Sequence, residues 1–130
     1  MSDRVLITIA NGVADVRLNR ADKRNALDGE MFLAIAAAGE RLAHEPGVRA
    51  VVLSGEGESF CAGLDFSSFQ AMAGGADAST GSRGNPGAIA EGRITHLGQQ
   101  CCWVWQEVPV PVIAAVHGHA LGGGLQIALG

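Results

Sequence analysis

A β-branched run, "VLITI" at residues 5–9, and an alternating one, "VADVRL" at 13–18, flank the pair Asn11-Gly12. Both residues of that pair tolerate positive φ, as a two-residue hairpin turn requires, so the pattern predicts two antiparallel strands. After the loop "NRADKRNA" the apolar period lengthens. Met31, Ile35, Ala38 and Leu42 recur at helical spacing until "HEPG", and Asp28 stands where an N-cap belongs. This predicts an amphipathic helix of about 15 residues. "RAVVLSG" at 49–55 is apolar without alternation, the signature of a strand covered on both faces. "ESFCAGLDFSSFQ" at 58–70 then predicts a brief strand, a glycine turn at Gly63 and a helix capped by Asp65.

Residues 73–88, "AGGADASTGSRGNPGA", carry almost no large side chains and read as a loop, either a plain linker or a lid. Ile94, Leu97, Cys101 and Val104 share one helical face, ended by Pro109. "PVIAAV" at 111–116 predicts a further buried strand, which leads through "GHALGGGLQ" at 118–126 into a short buried helix. Strands alternate with helices after an opening hairpin, with no internal repeat and no second domain boundary. The class is a single α/β domain.

Composition narrows the function classes. The 130 residues are 48% apolar, enough for a core, and the net charge of −4 comes from nine basic and thirteen acidic residues without runs. No electropositive face for nucleic acid is expected. Three cysteines, Cys61 and the adjacent Cys101 and Cys102, have no metal-type spacing and suit buried structural thiols in a reducing compartment. The N-terminus has the pattern of neither a signal nor a transit peptide, so a cytoplasmic address is expected. Val108 to Gly130 carries no formal charge and is long enough for a bilayer. Pro109, Pro111, His117, His119, Gln126 and the glycines interrupt the helix that lipid demands, and no membrane span is expected.

The unusual chemistry sits in two strand-to-helix turns, "CAGLD" at 61–65 and "GHALGGGLQ". Such turns lie at the carboxyl edge of a parallel sheet, where ligands bind. Glycine at a helix start lets a ligand atom approach main-chain N–H groups, so the turns predict a site for an anion or a developing oxyanion. Phosphate sites use the same device, but neither G-x-x-x-x-G-K-[ST] nor a strand-to-helix G-x-G-x-x-G occurs. A serine hydrolase would lack its G-x-S-x-G elbow. His117 and His119 form H-x-H without a third ligand, and Cys61 has no neighbouring base, so neither metal nor a cysteine nucleophile is expected. Trp103 and Trp105, on different faces of one helix, read as core and subunit-contact residues.

"LNRADKRNAL", "VRAVVLSGEGESFCAGLDF" and "PVPVIAAVHGHALGGGLQIALG" stand in order, and together they resemble the N-terminal half of the enoyl-CoA hydratase/isomerase, or crotonase, superfamily. The resemblance covers nearly the whole chain except 73–92. It implies a crotonase-like ββα spiral, an acyl-CoA thioester as substrate with no separate cofactor, and assembly as a homotrimer or a dimer of trimers. It assigns the N–H groups of Leu64 and Gly123 to an oxyanion hole for the thioester carbonyl. Coenzyme A contacts fall at Lys23 and Arg24, alternatively plain solvated charges, and around Ala26, Ala62, Gly63, Asp65 and Gly122. For Asp65 a helix cap is the simpler reading.

One departure stands out. Hydratases of the family place a glutamate where this chain has Gln126, and an amide cannot exchange that proton at neutral pH. Isomerisation needs a single base, which family isomerases place about 20 residues beyond this position. The resemblance therefore implies isomerase- or hydratase-type chemistry with weak hydration, or alternatively a non-catalytic CoA-binding member. It also implies that residues 1–130 are the first half of one domain. A genuine truncation would leave strands and an apolar helix unpaired and would aggregate.

Overall fold

The computed structural model describes residues 3–73, 89 and 92–130. The opening hairpin forms as its pattern predicts: β1 (Val5–Ala10) pairs antiparallel with β2 (Val13–Leu18). Asn11 and Gly12 turn the chain with φ of 53° and 79°. β3 (Ala50–Gly55) lies parallel to β2, and β4 (Val112–Ala114) parallel to β3, giving a four-stranded sheet in the order β1-β2-β3-β4.

One helix crosses from β2 to β3. α1 (Gly29–His44) begins where the Asp28 side chain accepts from the Met31 N–H at 2.9 Å. It buries Met31, Phe32, Ile35, Ala38 and Leu42 against Ala14, Val16, Leu18, Val51 and Leu53 of the sheet. α3 (Leu97–Glu107) packs on α1 and adds Cys101, Val104 and Trp105 to the same core. Gly39 makes that contact close, since a Cβ there would sit 2.5 Å from both methyls of Val104. α2 (Phe66–Ala73) follows the first glycine turn and α4 (Gly123–Leu129) the second.

Four expectations are corrected. Ile94 lies outside α3 and is 90% exposed, because His96 caps the helix through its side chain and starts it three residues later. The brief strand around residues 58–61 is reduced to isolated bridges at Cys61 and Leu64. "PVIAAV" contributes only three residues to β4, the edge of the sheet among the described residues, and Ile113 there is 57% exposed. α4 buries Gly124 and Ile127 but leaves Leu125 and Leu129 exposed. Most of the segment read as linker or lid lies outside the described residues.

Candidate active site

The segment 60–65 runs between two others as a third main-chain ribbon. On one side Phe60 N–H donates to the His117 carbonyl at 2.8 Å, Cys61 N–H to that of His119 at 3.0 Å, and Leu121 N–H to that of Cys61 at 3.0 Å. On the other, Ala62 N–H donates to the Arg24 carbonyl at 2.9 Å, Leu27 N–H to that of Gly63 at 2.7 Å, and Asp65 N–H to that of Leu27 at 2.9 Å. The parallel bridge between Leu27 and Leu64 uses the amides flanking Leu64 and passes over its own N–H. Gly123 opens α4, where no preceding turn exists to accept its N–H. Among the described residues, neither of these two N–H groups has a protein acceptor.

Three of the glycines bring neighbouring segments into contact. A Cβ on Gly63, at φ +90°, would lie 2.6 Å from the Leu121 carbonyl oxygen and 3.7 Å from the Gly123 nitrogen. One on Gly124 would lie 2.3 Å from the Cys61 oxygen, and one on Gly118 2.1 Å from that of Glu58. Side chains would force the ribbons apart and break the hydrogen bonds that join them. Only Gly122 of the triplet faces open space.

Leu64, Gly123 and Gln126 line one cavity of about 770 Å³. Leu27 and Phe32 close it from the side of α1, and Cys102, Trp103 and Gln106 from α3. Trp105 is core as expected, whereas half-exposed Trp103 belongs to the cavity wall. The other predicted site residues, Lys23, Arg24, Ala26, Ala62, Gly63, Asp65 and Gly122, are not part of the lining. Lys23 ends a short 3-10 turn (Ala21–Lys23) and Arg24 follows it, both exposed. The Arg24 guanidinium lies 3.4 Å from the Glu58 carboxylate and 3.5 Å from His119 Nδ1.

Asp65 is held as a structural ion. Its carboxylate accepts from the Ser67 hydroxyl and N–H and from Arg20 Nη1 at 2.7 Å. The Ser67 hydroxyl, and after it Arg20, hold its pKa down to about 2 against the desolvation of its site, so Asp65 is ionised at neutral pH and caps α2. Arg20 also lies 3.5 Å from Asp28, tying the caps of α1 and α2 together.

Asn25 and Arg20 hold the site's scaffold, and the hydrophobic pattern did not single them out. Fully buried Asn25 sits at φ 57°, donates to the Glu56 and Ser59 carbonyls at 2.9 Å each, and accepts from the Arg20 N–H at 2.8 Å. The signal available was an asparagine in a loop, since its short amide tolerates the left-handed region and bonds nearby backbone. Cys61 is buried beside it, its thiol donating to the Asn25 carbonyl, and burial pushes its pKa up, which disfavours the reactive thiolate. His117 bonds the Gly57 carbonyl and His119 the Ser59 hydroxyl. Among the described residues no three His, Cys, Asp or Glu side chains gather as a metal site requires.

The family model for enoyl-CoA hydratase/isomerase matches residues 8–130. The chain belongs to the enoyl-CoA hydratase/isomerase family. Among similar family members, the probable enoyl-CoA hydratase EchA14 of Mycobacterium tuberculosis is 39% identical over 127 residues, covering 98% of this chain and 44% of that protein. The (E)-benzylidenesuccinyl-CoA hydratase of Thauera aromatica is 34% identical over 127 residues, covering 96% of this chain and 43% of its own. A crystal structure of a probable enoyl-CoA hydratase/isomerase from Mycobacterium abscessus superposes with a TM-score of 0.72 at 33% identity, over 96% of this chain and 42% of that one. The fold is thus part of a crotonase fold, and the chain spans less than half the length of the curated relatives it matches. Among the described residues no helix is long and apolar enough to cross a membrane.

Proposed function

We propose that this chain carries the carbonyl-binding part of an acyl-CoA site, in which the N–H groups of Leu64 and Gly123 receive the thioester oxygen and stabilise it as it becomes enolate-like. The observation that carries this reading is the pair of amides, without a protein acceptor among the described residues, on two interlocked turns that both line one cavity. Oxyanion donors of this kind are worth roughly 10²–10³ in rate each. Lys23 and Arg24, exposed and outside the cavity, suit the phosphates of coenzyme A, with Ala26, Ala62, Gly63 and Gly122 framing the approach of the thioester. No separate cofactor is invoked. A homotrimer or dimer of trimers in the cytoplasm is the assembly and address that accompany this reading.

Gln126 decides among reactions. It lines the cavity, and with an amide at this position the chain lacks one of the carboxylates that hydration uses to move a proton. We therefore assign isomerase-type enoyl chemistry with weak hydration. The test uses the full-length protein that contains these residues, assayed with 2-enoyl- and 3-enoyl-CoA. Shift of the 3-enoyl double bond with slow hydration is expected, and Gln126→Glu is expected to raise hydration roughly 10²-fold or more. Rapid hydration by the unmodified protein overturns the role given to Gln126. Acyl-CoA binding with no turnover of either thioester favours a non-catalytic CoA-binding member.

A further inference from the structure

The cavity wall carries a feature that the proposed reaction does not use. Cys101 and Cys102 are neighbours on α3, with their sulfur atoms 3.8 Å apart, and both line the cavity. Cys101 is buried and its thiol donates to the Gly98 carbonyl, whereas Cys102 is only half-buried. Both cysteines are free. Two thiols side by side at a solvent-reachable wall can hold one soft atom between them.

A direct disulfide does not suit this pair. Adjacent residues have Cα atoms about 3.8 Å apart, shorter than the roughly 4.4–6.8 Å that disulfides span, so closing the bond would break α3 in its middle. A single larger atom bonded to both sulfurs lets them stay apart and leaves the helix intact. The geometry points to the Cys101–Cys102 pair as a dithiol site for a trivalent thiophile of the arsenic(III) class, entered from the cavity through Cys102.

With an organoarsenic(III) oxide the step is a condensation. Each thiol gives up its proton, two As–S bonds form, the As=O bond is lost, and the oxygen leaves with both protons as one water. Nothing is oxidised or reduced. The occupied site would sit in the wall beside Trp103, on the same cavity as Leu64 and Gly123. That last consequence rests on the proposed acyl site; formation of the adduct does not.

Phenylarsine oxide titrated into the full-length protein tests this, read by intact mass and by free-thiol count. One equivalent is expected to bind, to remove Cys101 and Cys102 from the thiol count while Cys61 remains, and to be released by a dithiol but not by an equal concentration of a monothiol. Cys102→Ser is expected to weaken binding by roughly 10² or more, the usual advantage of a second tethered contact. Cys61→Ser is expected to leave it unchanged. Absence of an adduct, or an adduct that survives Cys102→Ser, overturns the proposal. Formation of the adduct without loss of acyl-CoA binding keeps the dithiol site and counts against placing the acyl group in this cavity.

Discussion

Asp65 shows how a residue that resembles a catalytic acid is given other work by its neighbours. Ser67 and Arg20 hold its carboxylate at about 2, below the ordinary 3.8, so the folded state favours the ionised form. Its contribution to stability is complete above about pH 4 and is lost as the pH falls towards 2. Acid unfolding followed by circular dichroism is expected to show this: Asp65→Asn lowers the stability of the protein at pH 7 and narrows its gap from wild type at pH 2. An unchanged gap across that interval would mean that Arg20 and Ser67 do not stabilise the charge. Gln126 makes the opposite case, for it is exposed and lines the cavity.

At the scale of elements, Gly39 lets α1 pack closely against α3. Gly39→Ala would place a methyl 2.5 Å from both γ carbons of Val104. Overpacking of this kind costs about 1–3 kcal/mol, more than the helix gains from alanine at about 1 kcal/mol. Thermal denaturation is expected to show a lower midpoint for Gly39→Ala and partial recovery in Gly39→Ala/Val104→Ala relative to Val104→Ala alone. Additive losses would place the strain elsewhere. The elements themselves were largely legible: the Asn11-Gly12 turn, the Asp28 cap and the 3.6-residue period each state a local preference that the tertiary fold keeps. Ile94 was not, because periodicity carried on past His96 while the capping bonds of His96 and Gln99 ended the helix there. The short strand at 58–61 failed for a related reason, since its backbone bonds go to two loops instead of to a sheet.

At the scale of the whole molecule, β4 is an edge strand among the described residues, and apolar side chains are exposed on it and in the segment that follows it. Among the described residues β4 pairs only with β3, and Ile113 on it and Val116, Leu121, Leu125 and Leu129 after it are exposed, Leu129 to 77%. Residues 1–130 expressed alone are expected to self-associate, and Ile113→Lys with Leu129→Lys to reduce it, as read by light scattering. A monodisperse monomer would contradict this. The candidate site was legible as far as its two turns and the resemblance reached, because glycines and Gln126 are visible in the letters. Trp103 was not legible as a cavity wall, because which side of α3 meets α1 depends on Gly39, 64 positions away in the chain.

The bonds that join Cys61 to His119 and Leu121, and Leu27 to Gly63 and Asp65, are all main chain to main chain. The separation of the Leu64 and Gly123 amides therefore does not depend on what side chains Leu64, Ala120 or Leu121 carry, provided Gly63 and Gly124 stay bare. If the cavity takes an acyl-CoA as proposed, substitutions along α1 and α3 would reshape the chamber for a longer, shorter or bulkier acyl tail while the amides that meet its carbonyl keep one geometry. A lineage built on this frame can change its diet without rebuilding its jaw.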